Sequence, residues 1–208
     1  MVALWTEQQL RLGQLIAAAM KVDRNGTATV LTPEQLDSLL DAAPSPRHRC
    51  LWAIQRWSAA RISEALALRW GDINGVVCFR ASTTKTSTTR QVTVSSRLAA
   101  ELSSYRLAWE AEHGHAPVRE ELLFPAAGST TSPMSRQAAD KALRAATRAL
   151  GFLGVSTHSF RRSFATGALQ RGVALPTIQR VTGHKSLGSL GHYLDVDPAE
   201  VAAAIEGA

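Results

Sequence analysis

A tyrosine follows two histidines and an arginine at fixed distances in the last third of the chain. Tyr193 stands nine positions after His184, which itself follows His158 and Arg161 of the segment THSFRRSF. A tyrosine hydroxyl is a poor nucleophile near neutral pH, so its attack requires a pocket that stabilises the developing anion. Arginine and histidine can supply such a pocket. The spacing therefore predicts a nucleophilic tyrosine.

Two further candidates lie upstream, in RISEALALRWGDI and in TTKTSTTRQVTV. The complete candidate set is Arg61, Lys85, His158, Arg161, His184 and Tyr193. These ordered motifs resemble the catalytic domain of phage-integrase-type tyrosine recombinases, whose HxxR box, Gly-His pair and tyrosine recur here between about residues 31 and 197. Arg162 departs from the pattern, because many relatives carry a second histidine there; we expect a tolerated variant that lies behind Arg161.

The resemblance implies a fold and an activity. The fold is expected to be mainly α with a small antiparallel β-sheet (α+β), with residues 1–30 as a helical appendage and residues 31–208 as the catalytic domain. The expected activity is site-specific recombination or integration of DNA through a 3′-phosphotyrosine intermediate. Phosphodiester exchange of this kind requires no metal and no cofactor, and we expect none.

Each candidate has a role that suits its chemistry. Arg61 and Arg161 would stabilise charge on the phosphate oxygens, because a guanidinium stays charged and presents a planar fork of donors. His158 could accept the tyrosine proton or bind the phosphate, and His184 could donate to a non-bridging oxygen; their division of roles stays open. By resemblance, Lys85 protonates the leaving 5′-oxygen, with Arg90 as the alternative. We also expect Glu64, one helical turn from Arg61, to orient that arginine.

Ordinary explanations exist for every one of these residues taken singly. An arginine on an amphipathic helix is usually an exposed charge, and Tyr193 could be a core aromatic beside Leu190 and Leu194. The joint spacing favours catalysis.

Two other functions remain open: DNA relaxation of the type IB topoisomerase kind, and DNA binding by a regulator that no longer cleaves.

Composition agrees with a polyanionic partner. The chain has 208 residues with 23 Lys and Arg against 17 Asp and Glu, a net charge of +6, and we expect double-stranded DNA as the partner. Cys50 and Cys78 stand in apolar surroundings and predict buried, reduced thiols. No apolar run reaches the ~20 residues needed to cross a bilayer, so we expect a cytoplasmic protein that associates with the nucleoid.

Periodicity and turn signals predict the elements that position the candidates. Helices are expected at residues 4–20, from Thr32, within 48–70, at 96–112, from Pro133 to Gly151, from Thr157, from Pro176 to Gly183 and from Pro198. Strands are expected at residues 76–80 and 91–95. On the Pro133 helix, a stripe of arginines would suit a solvated face equally well, but the resemblance implies that this helix approaches DNA and so favours DNA contacts. The predicted DNA contacts are Arg90, Arg136, Lys141, Arg144 and Arg148.

Typical integrases add an N-terminal helical domain that closes around DNA. Only about thirty residues precede the expected catalytic domain here, which fits either a single-domain recombinase or part of a longer chain. We expect a monomer in solution that assembles to a tetramer on DNA.

The role of Lys85 can be tested by changing the leaving group. Lys85→Ala should lower cleavage of ordinary DNA by on the order of 100-fold, because a general acid typically contributes that much. A substrate with a bridging 5′-phosphorothiolate needs no proton for its leaving group, so the variant should cleave it at nearly the rate of the unaltered protein. Failure of that rescue in a gel assay of cleavage would instead favour Arg90 or a structural role for Lys85.

Overall fold

Helices dominate the computed structural model, which describes residues 27–84, 87–191 and 206. The predicted helices at residues 4–20 and after Pro198 lie outside these residues. The helices of the described part, in chain order, are α1 (Pro33–Asp41), α2 (Pro46–Ser58), α3 (Ile62–Leu66), α4 (Ser96–His113), α5 (Arg136–Ala149), α6 (Thr157–Gln170), α7 (Leu175–Thr182) and α8 (Leu187–Gly191).

The core surrounds α2, which is buried along most of its length between α4 and α6. Its Trp52 side chain is fully buried, as are Trp109 of α4 and Phe160 of α6. Fully burying one such side chain stabilises the fold by about 1.5–3 kcal/mol. This packing fixes the α2 C-terminus, from which the chain enters the candidate site.

Two short strands, β1 (Val76–Phe79) and β2 (Arg90–Thr93), form an antiparallel pair in which Phe79 lies opposite Arg90. The predicted α+β architecture, mainly helical with a small antiparallel sheet, is confirmed. One detail was wrong: Cys50 is buried, but Cys78 is only partly so. Val77 and Phe79 face the core, and alternation along the strand turns Cys78 to the other side.

The start of α5 also differs from the prediction. Pro133 does not begin the helix, because it forms an isolated antiparallel bridge with Pro125, and the next residue, Met134, donates its N–H to the Phe124 carbonyl at 2.9 Å. Ser135 is the N-cap, and its hydroxyl accepts from the Ala138 N–H at 3.1 Å. Serine satisfies an open N–H at a helix start, which explains why it sets the boundary.

A sharp backbone turn separates α2 from α3 within the predicted helix-rich segment 48–70. Ala59 adopts a left-handed conformation with φ of 52° and is fully buried. An L-residue pays roughly 1–2 kcal/mol for this conformation. The turn redirects the chain so that Arg61 stands immediately before α3.

Replacing Ala59 with valine should therefore destabilise the protein by about 2 kcal/mol or more, because a β-branched side chain resists a positive φ and finds no space there. Urea unfolding followed by circular dichroism would measure this. The matched control is Ala145→Val on the exposed face of α5, where the cost should stay below about 1 kcal/mol. Equal losses in the two variants would contradict the account of this turn.

Candidate active site

A buried carboxylate holds Arg61 in place. Glu64 is 1% exposed, and its two oxygens accept from the Arg61 backbone N–H at 3.0 Å and from the Arg61 guanidinium at 2.8 Å. The expected contact between these residues is thus present. Burial alone would raise the pKa of Glu64, but the hydrogen bonds from Arg61 and the charge of Arg90 outweigh burial and hold that pKa below its ordinary value.

The second partner of Glu64 is Arg90, at the start of β2. Its guanidinium lies 3.0 Å from the Glu64 carboxylate and donates to the backbone carbonyls of Ser58 at 2.9 Å and Val181 at 2.5 Å. The same group stacks over the Phe79 ring, 4.1 Å from its centroid. We predicted Arg90 as a DNA contact or a substitute for Lys85; the structure places it in the interior, 8% exposed, joining β2 to α2, α3 and α7.

Arg161 lies in the first half of α6 with its guanidinium between two acceptors. It is 1% exposed, and it donates to the Ala59 carbonyl at 2.8 Å and approaches Nε2 of His184 at 3.2 Å. The left-handed turn at Ala59 therefore supplies the carbonyl that orients this arginine.

His184 follows directly on α7, which ends at Gly183 with φ of 69°, as the sequence predicted. The imidazole is 8% exposed. The pKa of His184 is lowered to about 3, mainly by burial and then by the charges of Arg161, Arg61 and Arg90. The ring is consequently neutral at physiological pH.

Two adjoining clefts bring these residues together. The arginine cleft, of about 520 Å³, is lined by Arg61, His158 and Arg161. The histidine cleft, of about 560 Å³, is lined by His184, Glu64 and Arg90. Thr84 lines both clefts.

Four of the six predicted catalytic residues are therefore grouped around the two adjoining clefts. Thr84 immediately precedes Lys85 in the chain, but Lys85 itself and Tyr193 lie outside the described residues.

Arg162, expected behind Arg161, faces a different part of the molecule. Its buried guanidinium donates to the Ala28 carbonyl. One residue further, the Ser163 hydroxyl accepts from the Leu31 N–H at 2.8 Å. Arg162 thus fastens the segment before α1 to α6.

The predicted DNA-contact residues of α5 are all exposed: Arg136, Lys141, Arg144 and Arg148. Three of them, all except Lys141, line the α5 cleft of about 780 Å³, which shares Arg136 and His158 with the arginine cleft. Arg144 forms an ion pair with Asp140 at 2.8 Å. The α5 cleft, with its three arginines, therefore adjoins the cleft that contains Arg61 and Arg161.

Sequence reasoning missed one residue beside His184. Thr182 lies in the last turn of α7, and its Oγ1 stands 2.8 Å from the imidazole Nδ1. A threonine near a helix end commonly bonds the carbonyl four residues earlier. Its place two residues before a candidate histidine could have served as the signal.

Comparison with known proteins agrees with this geometry. Residues 29–200 match the phage integrase family. The chain is 30% identical over 177 residues to the integrase/recombinase y4qK of Sinorhizobium fredii, covering 84% of this chain and 54% of that protein. It is 35% identical over 142 residues to the tyrosine recombinase XerC of Rhizobium meliloti, covering 68% and 43% respectively.

The fold is that of solved tyrosine recombinases. The XerH site-specific recombinase, crystallised with a palindromic difH substrate as a post-cleavage complex, superposes with a TM-score of 0.71 at 26% identity, covering 90% of this chain and 56% of XerH. The chain thus belongs to the phage integrase family and has the tyrosine recombinase catalytic-domain fold. It spans about half the length of y4qK and XerH.

The described residues contain neither a membrane-spanning helix nor a cluster of metal ligands. No described helix is both long and apolar enough to span a membrane. Within residues 27–84 and 87–191, no three His, Cys, Asp or Glu side chains come together as metal ligands would.

The lowered pKa of His184 predicts a specific acid sensitivity. The unfolded chain takes up a proton at this histidine near pH 6.5, whereas the folded protein resists it until about pH 3. His184 therefore has no effect on the pH dependence of folding stability above about pH 6.5, and it lowers the free energy of unfolding progressively as the pH falls towards 3.

Between pH 7 and 5, the melting temperature of His184→Gln should consequently fall less than that of the unaltered protein. Scanning calorimetry at several pH values would measure the difference, with His115→Gln, at an exposed histidine, as the control for removing an imidazole. Parallel curves for the unaltered protein and His184→Gln would contradict the buried, neutral imidazole.

Proposed function

We propose that this chain catalyses site-specific recombination of double-stranded DNA, with Tyr193 as the nucleophile. The observation that carries the proposal is the grouping of Arg61, Arg161, His158 and His184 around the two adjoining clefts. Two guanidinium groups beside one opening favour a phosphate, because they present paired donors to anionic oxygens.

The proposed reaction proceeds in two steps, strand cleavage and strand joining. The Tyr193 hydroxyl attacks the scissile phosphorus and loses its proton to a base, for which His158 is the candidate, while the bond to the 5′-oxygen breaks and Lys85 protonates that oxygen. The product is a 3′-phosphotyrosine and a free 5′-hydroxyl. A 5′-hydroxyl from a partner strand then attacks the phosphotyrosine and gives its proton back to Lys85, while the bond between phosphorus and the tyrosine oxygen breaks and His158 returns a proton to that oxygen. This step restores the tyrosine and joins the exchanged strands.

Arg61 and Arg161 act on the charge that develops on the non-bridging oxygens. Each is held by protein acceptors before substrate binds, Arg61 by Glu64 and Arg161 by the Ala59 carbonyl. Such preorganised donors stabilise a transition state without reorganisation during the reaction.

The exposed arginines of α5 are proposed to bind the DNA next to the scissile phosphate. Their support is the cleft that joins Arg136 to His158. Contacts of this kind to phosphates weaken steeply as salt rises.

We propose that the protein is a monomer in solution and assembles to a tetramer on DNA. Because its proposed substrate is DNA, we also propose that it associates with the nucleoid in the cytoplasm.

The test is the capture of a covalent adduct. A pool of nicked duplexes of random sequence should yield a protein–DNA adduct that survives denaturing electrophoresis, and Tyr193→Phe should reduce it to background, because phenylalanine has no nucleophilic oxygen. Tyr105→Phe is the matched control, since it removes the only other tyrosine hydroxyl of the chain.

Sequencing the trapped DNA would identify the site, and a 5′-hydroxyl on the released strand would support the proposed polarity. Adduct formation by Tyr193→Phe at the normal level would exclude Tyr193. Relaxation of a plasmid carrying that site, with no recombinant product, would favour the topoisomerase-like activity instead.

A further inference from the structure

The Thr182 hydroxyl connects His184 to the backbone of α7. The side chain is 0% exposed, and its Oγ1 lies 2.7 Å from the Ile178 carbonyl and 2.8 Å from Nδ1 of His184. A hydroxyl carries one proton and two lone pairs. A carbonyl can only accept, so the hydroxyl proton goes to Ile178 and a lone pair is left to accept from the imidazole.

The other side of the ring leads to the same assignment. Arg161 offers donors only, and its Nη2 lies 3.2 Å from Nε2 of His184 and 3.4 Å from Nδ1. Nδ1 already has its acceptor in Thr182, and Nε2 is the ring nitrogen nearer to Nη2, so Nε2 carries the lone pair and Nδ1 the proton. The hydrogen bonds of the two neighbours together select a single neutral tautomer.

We propose that Thr182 is a positioning residue that fixes this tautomer of His184 and, through it, the orientation of Arg161. The connected groups run from the Ile178 carbonyl through Thr182 and His184 to Arg161, whose other Nη atom donates to Ala59 at 2.8 Å. The catalytic consequence rests on the function proposed above, whereas the tautomer itself does not.

The tautomer determines what His184 does before substrate binds. An Nε2 lone pair orients the Arg161 guanidinium and can accept a proton, but it cannot donate to a phosphate oxygen until the ring is protonated. Burial keeps the imidazole neutral, and among the described residues the charges of Arg161, Arg61 and Arg90 add to this effect while the Glu64 carboxylate opposes it. The tautomer of the neutral ring is then set by its hydrogen-bond partners.

The backbone at His184 has hydrogen bonds that do not require the Thr182 hydroxyl, although that hydroxyl also lies 3.2 Å from the Gln179 carbonyl. Gln179 donates its side-chain amide to the His184 carbonyl at 3.0 Å, and the Gln179 carbonyl accepts from the His184 N–H at 3.3 Å. Removing the Thr182 hydroxyl should therefore change the ring and leave the position of the chain unaltered.

Thr182→Val removes the hydroxyl at nearly constant volume, and Thr182→Ser is the matched control that keeps it. Nitrogen-15 NMR of the histidine rings in the DNA-free protein should show His184 protonated at Nδ1 in the unaltered protein and in Thr182→Ser. In Thr182→Val, the proton should move to Nε2 in part or entirely.

Adduct formation in a single turnover on the nicked random duplexes supplies the second readout. Thr182→Val should slow it by about ten-fold, the scale of one buried hydrogen bond. Thr182→Ser should stay within about three-fold of the unaltered rate. The dissociation constant for the duplexes should change by less than about two-fold in either variant, because the interaction acts on the chemical step.

Three results would overturn the proposal: an Nε2-protonated ring in the unaltered protein, an unchanged tautomer and rate in Thr182→Val, or an equal loss of rate in Thr182→Ser. The NMR measurement on the unaltered protein decides the question even if Thr182→Val does not fold. If the unaltered protein forms no adduct, the proposed function fails, while the tautomer is still decided by NMR.

Discussion

The buried Glu64 carboxylate, shared between Arg61 and Arg90, is the interaction on which the rest of the site depends. A carboxylate removed from water is costly unless it is paired, and losing one partner of such a buried pair typically costs about 3–5 kcal/mol. Glu64 lies 2.8 Å from one guanidinium and 3.0 Å from the other. The two arginines therefore hold each other's positions through a single anion.

This pairing reaches well beyond α3. Arg90 also donates to the carbonyl of Ser58 at the end of α2 and to that of Val181 near the end of α7. The α2 terminus leads into the Ala59 turn, whose carbonyl accepts from Arg161, and α7 leads into His184. One buried guanidinium thus sets the distance between the segments that carry Arg61, Arg161 and His184.

The arrangement concentrates positive charge in a protein interior. Glu64 and backbone carbonyls offset part of the repulsion between Arg61, Arg90 and Arg161, and burial together with these positive charges keeps His184 neutral. A bound phosphate would add negative charge where cations are in excess. Sites of this kind give up stability in the free protein for preorganised electrostatics in the reaction.

Local sequence signals predicted much of the secondary structure, whereas the contacts between residues distant in sequence were mostly not predictable. Thr32 and Gly183 predicted the boundaries of α1 and α7 because capping depends on a few neighbouring residues. The HxxR and Gly-His motifs likewise predicted three residues that the structure groups.

The interior position of Arg90 could not be predicted in this way. Its acceptors on Ser58 and Val181 stand 32 and 91 positions away in the sequence, and no periodicity encodes them. The inward turn of Arg162 to Ala28, 134 positions distant, is of the same kind. The boundary at Ser135 was missed for a related reason, since the bridge between Pro125 and Pro133 outweighs the usual preference of proline for a helix start.

The most direct test of the central claim is a double-mutant cycle between Arg61 and Arg90, measured on the single-turnover rate of adduct formation. Arg61→Lys, Arg90→Lys and the double variant would be compared on the same nicked duplexes. If Glu64 couples the two arginines, the double variant should lose less than the sum of the single losses, with a coupling free energy of about 1 kcal/mol or more. Losses that add within about 0.3 kcal/mol would mean that the arginines act independently, and would contradict the account.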